Sequence, residues 1–118
     1  MSPERAEHFR HKLAEELSAS PPQFMDPYAE SAYGDCAIRV RRLGAEPIFV
    51  VAPSIFQSPL RFRESPPPAP LLVFNDPKIY PQLYDTKVRV DDQHLTTEGA
   101  AEFTRLLALE FAGFARRP

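Results

Sequence analysis

Pro47-Ile48-Phe49-Val50-Val51-Ala52-Pro53 is an unbroken apolar run, rich in β-branched residues and bounded by proline at both ends. Such a run predicts a short strand covered on both faces, the pattern of a parallel sheet. Leu71-Leu72-Val73-Phe74 is a second run of the same kind, closed by Asn75-Asp76-Pro77, and predicts the neighbouring strand. Between them, Ser54 to Pro70 is full of breakers and ends in Pro66-Pro67-Pro68-Ala69-Pro70, which reads as a long loop finishing in polyproline conformation.

Helical signals lie on either side. Asp26-Pro27 opens a helix whose apolar face is expected to be Ala29, Ala32, Tyr33, Cys36, Val40 and Leu43, weakened at Gly34 and stopped by Gly44. Further upstream, Ser2-Pro3-Glu4 supplies a cap, a first-turn proline and a first-turn acid. Ala6, Phe9, Leu13 and Leu17 then make one stripe until Ser18 to Pro22 end it. The last helix is expected from Thr96 or Thr97 to about Ala115, with Phe103, Leu106, Leu107, Phe111 and Phe114 on its apolar side, interrupted by Glu110. The order helix, helix, strand, loop, strand, helix is that of an α/β sheet seen from one end, without internal repeats.

Two parallel strands alone cannot bury faces as apolar as residues 48–52, because both edges and much of both faces stay open. The sheet is therefore expected to be incomplete in this chain, with further strands supplied by sequence upstream of Met1 or by another chain, and the isolated chain is expected to be marginally stable.

The 118 residues suit one domain, read as an N-terminal helix and linker over 1–22 followed by an α/β segment over 23–118. With 43% hydrophobic and 25% charged residues the composition is that of a globular chain. A formal net charge of −2 leaves no basic field for nucleic acid. Arg39, Arg41 and Arg42 are expected at a helix C-terminus, where cations complement the dipole. The single cysteine, Cys36, cannot form an internal disulfide and reads as a small helix-packing residue. No apolar run reaches the roughly 20 residues that span a bilayer, and Met1 to Leu17 is too charged for a signal peptide. The expectation is a soluble, cytoplasmic chain unless a missing N-terminus carries a signal or anchor.

Arg89-Val90-Asp91-Asp92-Gln93-His94-Leu95-Thr96-Thr97-Glu98-Gly99-Ala100 is a polar loop running into the last helix. A carboxylate three residues before a histidine, on a turn, can accept the imidazole Nδ1 proton and leave Nε2 facing a hydroxyl as general base. Asp91 would orient and His94 would be the base. His8 and His11, near Glu7 and Glu15, lack the spacing of a metal-binding helix and read as surface histidines; neither a metal nor a cofactor is expected.

Asp91-x-x-His94-Leu95 followed by Gly99-Ala100 resembles the last sequence block of the SGNH/GDSL hydrolase superfamily. Leu71 to Pro77, Tyr80-Pro81, Leu83-Tyr84 and Phe103-Thr104 look like the closing segment of its bacterial members, and Gly44 to Pro53 like their preceding helix-to-strand unit. The resemblance covers residues 26–115 and is strongest over 71–111. It implies a flavodoxin-like three-layer α/β/α sandwich with its site at the carboxyl ends of parallel strands. It also implies a serine nucleophile that His94 deprotonates, and an acyl-enzyme resolved by water in esterases or by an acceptor hydroxyl in acyltransferases.

The family's other blocks, the Gly-Asp-Ser nucleophile, the oxyanion-hole glycine and Gly-x-Asn-Asp, do not occur. Gly34-Asp35-Cys36 is similar to the first but falls within a helical pattern, and Asn75-Asp76 lacks the glycine and sits too near His94. Ser54, Ser58 and Ser65 carry no nucleophile turn and read as loop serines. The expectation is a segment of a serine esterase or acyltransferase, nearly inactive alone because nucleophile and oxyanion donors supply most of the rate. Its partner would be the missing N-terminal segment or another copy of itself, and its substrate an ester or acyl group. The alternative is a noncatalytic module of the same scaffold that self-associates or binds a partner.

Overall fold

The structure is a computed structural model that describes residues 1–18, 23–55 and 59–116. Among the described residues it is mixed α/β, with three α-helices and two small parallel sheets. Helix α1 spans Pro3–Leu17; Ser2 caps it by accepting from the Arg5 N–H at 3.2 Å, and Pro3 fills the first turn. Ala6 and Phe9 are buried and Leu13 packs beside them, while Leu17, read as the end of the stripe, is exposed. Most of the expected linker after Ser18 lies outside the described residues.

Helix α2 spans Pro27–Arg42, capped by Asp26 and stopped at Gly44, whose φ of 82° is the left-handed stop expected there. Its buried face differs from the expected one. Glu30 and Ala37 are buried, whereas Ala32, Cys36 and Leu43 are exposed, so Cys36 is not a packing residue. The cause is polar: the Glu30 carboxylate accepts the backbone N–H groups of Arg63 at 2.9 Å and Glu64 at 2.8 Å, turning that face toward the loop. Tyr33 stands edge-on to Phe49 and Phe62 on the same side. Arg39, Arg41 and Arg42 occupy the last turn as expected.

Strand β2 (Phe49–Val51) pairs in parallel with β4 (Leu71–Val73), Phe49 opposite Leu71 and Val51 opposite Val73. Both lie inside the apolar runs that predicted them. Coverage on both faces is not found: Val50 is 46% exposed, because a two-stranded sheet has too little neighbouring structure to enclose it. A second pair, β1 (Gln23–Phe24) with β3 (Leu60–Arg61), is also parallel and breaks the expected continuous loop of residues 54–70. It is held by Met25 N–H to Arg61 O at 2.9 Å, Arg63 Nε to Met25 O at 3.1 Å, and the Arg61 guanidinium over the Phe24 ring.

Helix α3 spans Thr97–Ala115, capped by Thr96 through the Gly99 N–H at 3.1 Å. The core lies between α1, α3 and the segment after β4: Phe9, Ile55, Phe74, Leu83, Tyr84 and Leu106, with Phe103 edge-on to Phe74. Phe111, expected on the apolar side of α3, is half exposed, since no described element covers that end of the helix. The Cα radius of gyration is 15.8 Å, against about 13.5 Å for a compact chain of this length. The accessible surface is 7997 Å², where about 6,500 Å² is typical for this mass.

Candidate active site

After β4 the chain turns through two 3-10 segments, Pro81–Leu83 and Thr86–Val88, and enters the loop that ends at Thr96. The loop closes on itself. Arg89 and Leu95 form an antiparallel bridge, the Val90 N–H donates to His94 O at 2.9 Å, and the Thr96 N–H donates to Val88 O at 2.9 Å. The buried Gly99 lies against this closure, where a Cβ would collide with the Val88 carbonyl.

Inside the loop Asp91 acts as a hub. Its Oδ1 accepts the backbone N–H groups of Gln93 and His94, each at 2.8 Å, and lies 2.8 Å from His94 Nδ1; Oδ2 lies 2.9 Å from the same ring nitrogen. The Gln93 N–H and then the His94 ring hold the Asp91 carboxyl below the usual carboxylate range. An ionised carboxylate only accepts, so a neutral His94 carries its proton on Nδ1 and its lone pair on Nε2. The His94 side chain is 71% exposed, leaving that lone pair open to approach.

The pair opens onto a cleft of about 500 Å³ lined by Asp91, Asp92, Gln93 and His94 on one side and by Glu4, Arg5 and His8 of α1 on the other. His8 Nε2 lies 3.6 Å from Asp92 Oδ2. His8 is therefore an exposed surface residue as read, yet it belongs to the wall facing His94. Nothing local could have signalled this, since the contact joins the first helix to the last loop. His11 instead pairs with Glu15 on α1.

The loop and the 3-10 segments before it reach the carboxyl ends of the β2–β4 sheet. Arg89 Nη1 donates to Pro53 O at 3.4 Å, and the Tyr84 hydroxyl donates to Phe74 O at 2.8 Å and lies 3.4 Å from Ser54 O. Among the described residues lining the cleft there is no serine, threonine or cysteine. Gly34-Asp35-Cys36 lies within α2, away from the cleft, and Ser58 lies outside the described residues. Among the described residues no group of three or more His, Cys, Asp or Glu is placed to hold a metal, and no helix is long and apolar enough to cross a membrane. The arrangement can orient an imidazole and move a proton; the lining offers no hydroxyl or thiol to attack a carbonyl. No family model, no curated protein and no solved structure matches the chain.

Proposed function

We propose that this chain is the base-bearing part of a serine esterase or O-acyltransferase of SGNH type, and that the nucleophile comes from outside it. His94 Nε2 takes the proton of a serine hydroxyl; the serine oxygen attacks an ester carbonyl, and the leaving alcohol receives the proton back from His94. Water or an acceptor hydroxyl, deprotonated by the same nitrogen, then releases the acyl group. Asp91 holds the tautomer and stabilises the imidazolium. In this reading β2 and β4 are part of a larger flavodoxin-like sheet, completed by an N-terminal segment or by another copy.

The observation that carries the reading is an exposed His94 whose Nδ1 is held at 2.8 Å by a carboxylate fixed in turn by two backbone N–H groups. Supporting it are the position of the loop at the carboxyl ends of parallel strands and a surface larger than the mass requires. The test is reconstitution with a segment carrying a strand followed by Gly-Asp-Ser. Ester hydrolysis should appear on mixing and fall on the order of 10⁶-fold with His94→Ala; activity indifferent to His94 sinks the reading.

The half-exposed Val50 on the open β2–β4 sheet favours one other reading, a noncatalytic module that self-associates. A stable dimer in sedimentation that His94→Ala leaves unchanged, formed by a parent chain that itself never supports ester hydrolysis, would favour it.

A further inference from the structure

Arg89 is 1% exposed, and among the described residues no carboxylate is hydrogen-bonded to its guanidinium. Nε donates to Leu83 O at 2.8 Å; Nη1 donates to Pro53 O at 3.4 Å and to Asp92 O at 3.3 Å. The group lies 5.3 Å from the centre of the Phe9 ring on α1 and 4.8 Å from that of Tyr84, and Nη2 has no hydrogen-bond partner among the described residues. Burial lowers the affinity of Arg89 for its proton and pushes the Tyr84 phenol up to about 12, so Tyr84 stays neutral beside the cation. An apolar side chain of similar volume would fill this place without the desolvation cost. What it could not do is gather carbonyls from three separate segments through one planar fork.

One of those carbonyls matters most. Asp92 C=O and Gln93 N–H are the two ends of a single peptide plane. Arg89 holds its oxygen end, and the Asp91 carboxylate holds its N–H end at 2.8 Å. A donor on the carbonyl oxygen both fixes the plane and polarises it, strengthening the N–H as a donor. The chain of contacts thus runs from the buried guanidinium through one peptide to Asp91 and on to His94 Nδ1.

We infer that Arg89 is the positioning residue of the Asp91–His94 base, aiming the Asp91 carboxylate at the imidazole through the Asp92–Gln93 peptide while tying the loop to the end of β2. The inference deepens the proposed base and takes its meaning from that reading. Its test needs no substrate, so the two can fail separately.

The measurement is an NMR titration of the Asp91 carboxyl carbon, with the Gln93 amide signal alongside, in the full chain and in Arg89→Lys. Lysine keeps the charge and loses the fork. Glu4, Arg5, His8 and Asp92 face the same cleft in both proteins, so their fields cancel in the comparison. In Arg89→Lys the Asp91 midpoint should move up toward the ordinary carboxylate value and the Gln93 amide should shift upfield. Leu106→Val, a core loss on α3 in the cluster that also holds Phe9, Leu83 and Tyr84, removes no hydrogen-bond acceptor of Arg89 and should lower stability while leaving Asp91 where it was. A folded Arg89→Lys chain with an unmoved Asp91, or a Leu106→Val chain that moves it equally, overturns the inference. If Arg89→Lys does not fold, the titration is made on Phe9→Leu, which removes one ring from the guanidinium; an unmoved Asp91 there overturns it too.

Discussion

A single oxygen of Asp91 meets both the backbone N–H and the ring Nδ1 of His94, each at 2.8 Å. The same residue thus fixes where the histidine backbone goes and which ring nitrogen carries the proton. Asp91→Asn keeps the shape but can present an amide N–H to Nδ1, favouring the wrong tautomer. In the reconstituted enzyme kcat should fall on the order of 10⁴-fold with little change in KM, as for an acid that orients a triad histidine. A loss confined to KM would mean that Asp91 serves binding.

The Asp91 carboxyl is held below its usual range, first by the Gln93 N–H and then by the His94 ring. A carboxyl depressed in the folded state contributes stability that is present above its unfolded value and lost as pH falls through the folded one. The thermal midpoint should therefore drop more steeply with acidification in the parent chain than in Asp91→Asn. Parallel profiles for the two would contradict this.

Gly99 has no room for a side chain, because a Cβ would strike the Val88 carbonyl and crowd Leu95. Gly99→Ala must push α3 away from the loop that it anchors, at a cost of about 1–3 kcal/mol. Gly34→Ala is the control, since no described residue lies within 4 Å of a Cβ there and the helix gains from alanine. Urea unfolding should separate the two in sign.

Glu30→Gln leaves the two backbone N–H groups of Arg63 and Glu64 with at most one neutral acceptor. The expected loss is about 1–3 kcal/mol, with faster amide exchange at Arg63 and Glu64. Exchange unchanged at those positions would show that the carboxylate does not anchor the loop.

Val50 is 46% exposed on a strand of a two-stranded sheet. Val50→Lys should change the stability of the isolated chain by no more than about 0.5 kcal/mol. It should also abolish any association that uses this strand, because lysine there blocks edge pairing. A stability loss of several times that size would mean that Val50 is enclosed in solution.

The elements legible in the sequence were those with local signals. Ser2-Pro3 and Asp26-Pro27 mark where α1 and α2 begin, and the two apolar runs mark β2 and β4. The Asp91 to His94 hydrogen bond was legible for the same reason, since it spans three residues of one turn. The β1–β3 pair was not, because two-residue strands carry no period to read. The buried face of α2 is not legible, because apolar periodicity ignores a buried carboxylate such as Glu30 that bonds a distant loop. Arg89 and His8 gave no signal: a buried arginine and a cleft histidine are defined by neighbours far along the chain.

The most direct measurement is labelling with a fluorophosphonate probe, the adduct located by mass spectrometry, on the chain alone and on the chain reconstituted with a Gly-Asp-Ser segment, each with and without His94→Ala. The account predicts no serine adduct on this chain, and an adduct on the supplied serine that disappears with His94→Ala. An adduct on Ser54, Ser58 or Ser65 would show that the chain builds its own nucleophile, and a supplied serine labelled equally without His94 would show that Asp91 and His94 are not its base.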